Sequence, residues 1–145
     1  MASSAGPITE ERPGTYIFGD RQQANLGGSD PASLALAVAA TVVSTSVEGR
    51  CVIDRGAKAL AKDKPGWLAG HGVVPQLPGA VIQSLYDHHA VLDLPPDLPR
   101  PRVGDVVAVV PNHVRPVVNL TDELVLTRGG EHVENLPVLA RGRTR

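Results

Sequence analysis

The sequence predicts an all-β fold, a small β-barrel or sandwich domain with short strands and Pro/Gly-rich loops. Three observations predict it. Twenty valines stand against four Phe, Trp or Tyr residues, and a side chain branched at Cβ suits a pleated, half-buried surface. Thirteen prolines and fifteen glycines punctuate the 145 residues at short intervals, which is the spacing of turns between short strands. The longest apolar run, Leu34 to Val43, is broken by Thr41 and falls well short of the ~20 residues that span a bilayer.

Size and charge narrow the function. A chain of 145 residues suits one domain with a real core, but a complete (β/α)8 barrel needs roughly 200 residues or more. A net charge of -1 argues against a general nucleic-acid binder, which usually carries a basic face. A single cysteine, Cys51, forbids an internal disulfide framework. No charged leader precedes the apolar run closely, so a cytoplasmic protein without membrane contact is expected.

The elements follow in order. Residues 1–7 read as a flexible N-terminal tail and residues 143–145 as a basic tail, leaving a domain over 8–142. Gly14 to Gly19 reads as a first strand entered through Arg12-Pro13. Leu34 to Val47 reads as a strand with an irregular start, although Asp30-Pro31 and the alanines also fit a helix start. Arg50 to Asp54 should pair with it across the turn at Glu48-Gly49. Lys58 to Gly72 reads as a polar loop. Val81 to Leu85 and Ala90 to Leu94 are strands flanking Tyr86-Asp87-His88-His89. The proline-rich stretch Leu94 to Arg102 must be extended or turning. Val106 to Val110 is the most apolar strand. Leu124 to Thr127 and His132 to Val138 form a last hairpin around Arg128-Gly129-Gly130.

The most unusual polar segment is Pro111-Asn112-His113-Val114-Arg115-Pro116. Its prolines remove two ladder donors, so it cannot be an ordinary central strand. On an extended chain His113 and Arg115, two apart, face the same way. They would then present an imidazole and a guanidinium to one cavity. The plainer alternative has His113 bonding a backbone carbonyl at a strand end, and the residues alone favour it. Asp54 ends a strand beside Arg55 and Lys58, as a surface salt-bridged turn or as a site residue. His88 and His89 point to opposite faces if extended, so both cannot easily join one metal. Cys51 reads as a small buried hydrophobe.

Four segments in order resemble the C-terminal β domain of the D-threonine aldolase and D-serine dehydratase family. These are Thr9 to Asp20, Leu36 to Ser44, Asp54-Arg-Gly-Ala-Lys-Ala-Leu60, and Val103 to Leu120 with its Pro-Asn-His. The family's enzymes use pyridoxal phosphate on an alanine-racemase-like (type III) fold. The resemblance implies a β domain that packs against a pyridoxal-phosphate barrel. It places Asn112, His113, Arg115 and Asp54 toward the active site. It also implies a divalent metal, usually zinc, on His113, which would act as a Lewis acid on the substrate β-oxygen. The family's second ligand, Cys or Asp, falls at Arg115, which has no lone pair to offer. Arg115 could instead hold a substrate carboxylate or a cofactor phosphate. The Schiff-base lysine belongs to the barrel, so Lys58, Lys62 and Lys64 are not its counterparts.

Two function classes follow. One is the β half of a lyase acting on D-3-hydroxyamino acids, inactive without its barrel. The other is a stand-alone, non-catalytic β module that binds a small ligand or a protein, or a second copy of itself through an exposed apolar patch.

Overall fold

A computed structural model describes residues 6, 10 and 12–143. The expected tails, 1–7 and 143–145, lie outside these residues except for Gly6 and Arg143. Eight strands among the described residues form a mainly-β structure. In order they are β1 (Val38–Ser44), β2 (Arg50–Ile53), β3 (Gly72–Val73), β4 (Val81–Leu85), β5 (Ala90–Asp93), β6 (Val106–Pro111), β7 (Glu123–Arg128) and β8 (Glu131–Pro137). Three short helices join them: α1 (Arg21–Asn25), α2 (Ala57–Leu60) and α3 (Val114–Asn119).

Six strands make one antiparallel sheet in the order β3-β6-β1-β2-β5-β4. The sheet curls until its two edges nearly meet. The backbone N–H of His71, just before β3, donates to Ile82 O on β4 at 3.1 Å. Covering both edges in this way removes the unpaired ladders that invite aggregation.

The pleat decides which side chains fill the barrel. Ala40 and Val42 of β1, Cys51 and Ile53 of β2, Ile82 of β4, Ala90 and Leu92 of β5, and Val107 and Val109 of β6 point inward and are buried. Their alternation with half-exposed neighbours along β2 and β5 is the period of two that a one-sided sheet requires. Fully burying each large aliphatic chain contributes roughly 1.5–3 kcal/mol. A smaller cluster of Leu36, Val114 and Val117 fastens α3 against the start of β1.

Three sequence expectations need correction. Gly14 to Gly19 is no strand: Thr15–Ile17 form a single 3-10 turn. The strand expected over Leu34 to Val47 shortens to Val38–Ser44, and the helix signal at Asp30-Pro31 is spent on one 3-10 turn, Pro31–Ser33, whose Ala32 N–H is capped by Asp30. The expected loop after Lys58 begins inside one helical turn, α2. In each case the signal was local and the element is too short for apolar periodicity to develop. The β1–β2, β4–β5 and β7–β8 hairpins stand where the turn residues placed them.

Candidate functional site at the end of strand β6

Strand β6 leaves the core at Pro111, which pairs with Gly72 of β3. Proline has no N–H to extend the ladder, so the chain must turn here. The turn buries Asn112 at 1% exposure, and a buried amide must be satisfied. Its Nδ2 donates to Asp63 O at 2.9 Å and to Gly70 O at 3.1 Å. Its Oδ1 accepts from Arg21 Nη1 at 3.0 Å, and the same Nη1 donates to Ala69 O at 2.7 Å. Asn112 therefore ties the 61–71 loop and α1 to the strand end. Gly70 must be glycine here: its φ is +70°, and a Cβ would lie 3.1 Å from Ile82 O, so an L side chain would be strained.

Asp20 holds the other side. Its Oδ1 accepts from Gln23 N at 2.9 Å, and its Oδ2 accepts from Val114 N at 3.1 Å. One buried carboxylate thus caps α1 and α3 together, satisfying a backbone donor at the start of each.

His113 is extended, at φ -136° and ψ 116°, and precedes α3 without capping it through its side chain. Its Nδ1 meets Asp63 Oδ2 at 2.6 Å. The expected carbonyl partner is therefore replaced by a carboxylate fifty residues away in sequence. Arg115 lies on α3, so the premise that an extended chain sets it on the same side as His113 does not hold. Arg115 is exposed and makes no ion pair among the described residues. His71, beside Gly70, has a buried Nδ1 with no hydrogen-bond partner. Burial, then Lys64 and Lys62, hold its pKa below the ordinary histidine value.

Asp54 is placed apart from this group. It stands at the end of β2, accepts the Thr41 N–H at 2.7 Å, and pairs with Arg55 at 3.3 Å. Among the described residues no hydrogen bond or ion pair joins it to Asn112, His113 or Arg115. A shallow depression of about 300 Å³ contains Asp54, Arg55, Lys58, Asp87 and His88. Lys58 Nζ sits 3.4 Å from Asp87 and 3.3 Å from His88 Nε2. An apolar groove of about 450 Å³ runs between Leu36, Val117, Leu120, Leu124 and Leu136. Cys51 is buried, which raises its pKa, so it behaves as the expected inert hydrophobe.

Asp20, Arg21 and Asp63 were not singled out from the sequence. Asp20-Arg-Gln-Gln23 is an acidic residue followed three later by Gln, a capping pattern. Nothing near Asp63 announces its partner, because the pairing is made only by the fold.

The comparisons with known proteins agree with this architecture. A family model described as a putative serine dehydratase domain matches residues 35–127, well over half of the chain. The chain belongs to this family. An uncharacterized protein of Mycobacterium tuberculosis is 41% identical over 131 residues, covering 88% of this chain and 98% of that protein. A D-threonine aldolase of Arthrobacter sp is 30% identical over 145 residues, covering 99% of this chain but 37% of the enzyme. The crystal structure of D-threonine aldolase from Filomicrobium marinum superposes with a TM-score of 0.75 at 30% identity, over 92% of this chain and 36% of that one. Against the aldolases, then, the chain spans about a third of their length. No helix among the described residues is long and apolar enough to cross a membrane.

The groups that the family resemblance implies do not fit this chain's own residues taken alone. Among the described residues, no three His, Cys, Asp or Glu side chains are grouped to hold a metal ion. His113, whose Nδ1 is held by Asp63, has only Nε2 left to offer, and the arginine at 115 supplies no lone pair as a second ligand. Pyridoxal phosphate needs an activated, desolvated lysine amine. Lys58 is an exposed ammonium in an ion pair, and Lys62 and Lys64 are exposed on the loop.

Proposed function

We propose that this chain, over residues 8–142, is the β half of a cytoplasmic, pyridoxal-phosphate-dependent lyase of the D-threonine aldolase and D-serine dehydratase type. It acts on D-3-hydroxyamino acids only when a pyridoxal-phosphate barrel joins it. The observation that carries this reading is the coverage: 99% of the chain matches 37% of an aldolase. The remainder of such an enzyme would supply the cofactor lysine. His113 and Arg115 belong to the surface offered to the barrel, Asn112 holds the strand end beneath them from its buried position, and Asp54 marks the end of β2, one strand removed from β6 in the sheet order. The chain's own contribution is positional. Asn112 fixes the loop, Asp63 fixes the imidazole of His113, and Arg115 supplies a fixed positive charge for an anionic group. A complete metal site is not part of that contribution.

A second reading has its own support. The mycobacterial relative is covered over 98% of its length, so its sequence leaves no room for the remainder that the aldolase carries beyond the matched part. Under that reading the chain is a non-catalytic module.

One experiment separates the two. The chain is assayed with D-threonine and D-serine plus pyridoxal phosphate, alone and mixed with an Arthrobacter aldolase fragment lacking the matched region. Turnover only in the mixture supports the lyase half. Turnover by the chain alone contradicts it, and no complex and no turnover in either case favours the module.

A further inference from the structure

We propose that the strand end around Asn112 and His113 binds a small oxyanion, a carboxylate or a phosphate group, where the family's pattern would place a metal cation. This concerns the chain's own residues and does not depend on a barrel partner.

The charges gathered there point one way. Arg21 reaches Asn112 with its guanidinium. Lys62 and Lys64 flank Asp63, whose carboxylate touches His113. Arg115 follows His113 by two residues. Among the described residues none of these four cations has a carboxylate partner, whereas Arg50, Arg55, Lys58, Arg102 and Arg141 all do; Arg100, Arg128 and Arg143 are also unpaired but stand on separate segments. The acidic groups nearby are spent. Asp20 is buried on two backbone N–H groups, and Asp63 is held by the imidazole. Arg21 therefore lies against Asn112 without an anionic partner, and the backbone sets Lys62, Lys64 and Arg115 within two residues of Asp63 or His113, which touch each other, in a protein whose net charge is -1.

Arg21 makes the point most sharply. It is half-buried, and burial lowers its pKa, so its charge is disfavoured where it stands. Its acceptors are two neutral oxygens, Ala69 O and Asn112 Oδ1. A partly desolvated guanidinium bonded only to neutral groups gains most from an incoming anion. His71, whose pKa is lowered first by burial and then by Lys64 and Lys62, lies within reach of the same two lysines. A positive field attracts anions and opposes a divalent cation.

The test uses the intact chain at low ionic strength, titrated with sodium malonate, inorganic phosphate and zinc chloride, and followed by calorimetry and amide chemical shifts. Malonate, phosphate or both should bind, with shifts centred on residues 61–71 and 112–115. Binding by malonate alone identifies a carboxylate site, and binding by phosphate alone a phosphate site. Arg115→Gln and Lys62→Gln, both at exposed positions, should each lose roughly tenfold in affinity, the scale of one charge-assisted contact. Arg50→Gln, on the far β2–β5 pair, should lose none. The proposal is overturned by three results: neither anion binding, binding unchanged in Arg115→Gln and Lys62→Gln, or zinc binding that His113→Ala abolishes. A failed barrel complementation leaves this inference standing, and a failed anion titration leaves the family reading standing.

Discussion

Asp20 and Val114, ninety-four residues apart, are joined by a 3.1 Å hydrogen bond from the first backbone N–H of α3 to a buried carboxylate that also caps α1. This one side chain makes the N-terminal segment part of the site, because α1 carries Arg21 to Asn112. Asp20→Ala removes both caps and leaves two donors unsatisfied. It should cost roughly 2–4 kcal/mol, measured by urea unfolding. Asp20→Asn keeps one acceptor oxygen and should cost less.

Gly56 opens α2 with its Cα packed against the β4–β5 turn. A Cβ there would lie 2.1 Å from Tyr86 O and 2.6 Å from His89 N. Both are backbone atoms in a tight turn and cannot step aside. Gly56→Ala should destabilise by roughly 3 kcal/mol or more, read as a lowered urea midpoint or loss of soluble protein. Gly66→Ala has open space around it and serves as the control.

The barrel and the last hairpin should respond differently to truncation. Leu92 is fully buried in the core, while Val133 on β8 is 44% exposed. Leu92→Ala should cost about 2–5 kcal/mol through lost burial and a cavity. Val133→Ala should stay within about 0.5 kcal/mol. Chemical denaturation of the pair measures this directly.

His71 predicts an acid weakness. Its folded-state pKa is lowered, chiefly by burial, while the unfolded value stays near the ordinary one. Between those two values the unfolded chain binds the extra proton. Stability therefore falls as pH drops below the unfolded histidine pKa, and levels off once pH passes below the folded one. His71→Gln should remove that slope. A series of melting temperatures across mildly acidic pH, with and without the substitution, checks it.

How much of this was legible depended on range. The valine runs bounded by proline and glycine gave β2, β4, β5, β6 and the β7–β8 hairpin close to their observed limits, because strand alternation and turn chemistry are local. Pro-Asn-His marked the strand end for the same reason. The 3-10 turn Thr15–Ile17 stands where a strand is expected, and α3 carries Arg115 where an extended pairing with His113 is considered, since one or two turns of helix carry too few residues to show a period. The His113–Asp63 contact and the Arg21–Asn112 bond were invisible, because only the closing of the barrel brings residues 20, 63 and 113 together. The sequence also showed that 115 is arginine, but not that the fold brings the Arg21 guanidinium to Asn112.

The proposed role is that of the β half of a lyase in which Arg115 stands where the family pattern has a metal ligand. The most direct measurement replaces the matched third of the Arthrobacter D-threonine aldolase with this chain and assays D-threonine cleavage with and without added divalent metal. The account predicts a folded chimera that binds pyridoxal phosphate but shows no metal-stimulated cleavage, with stimulation returning in Arg115→Asp. Full metal-stimulated cleavage with Arg115 in place, or a chimera that folds without binding pyridoxal phosphate, would contradict it.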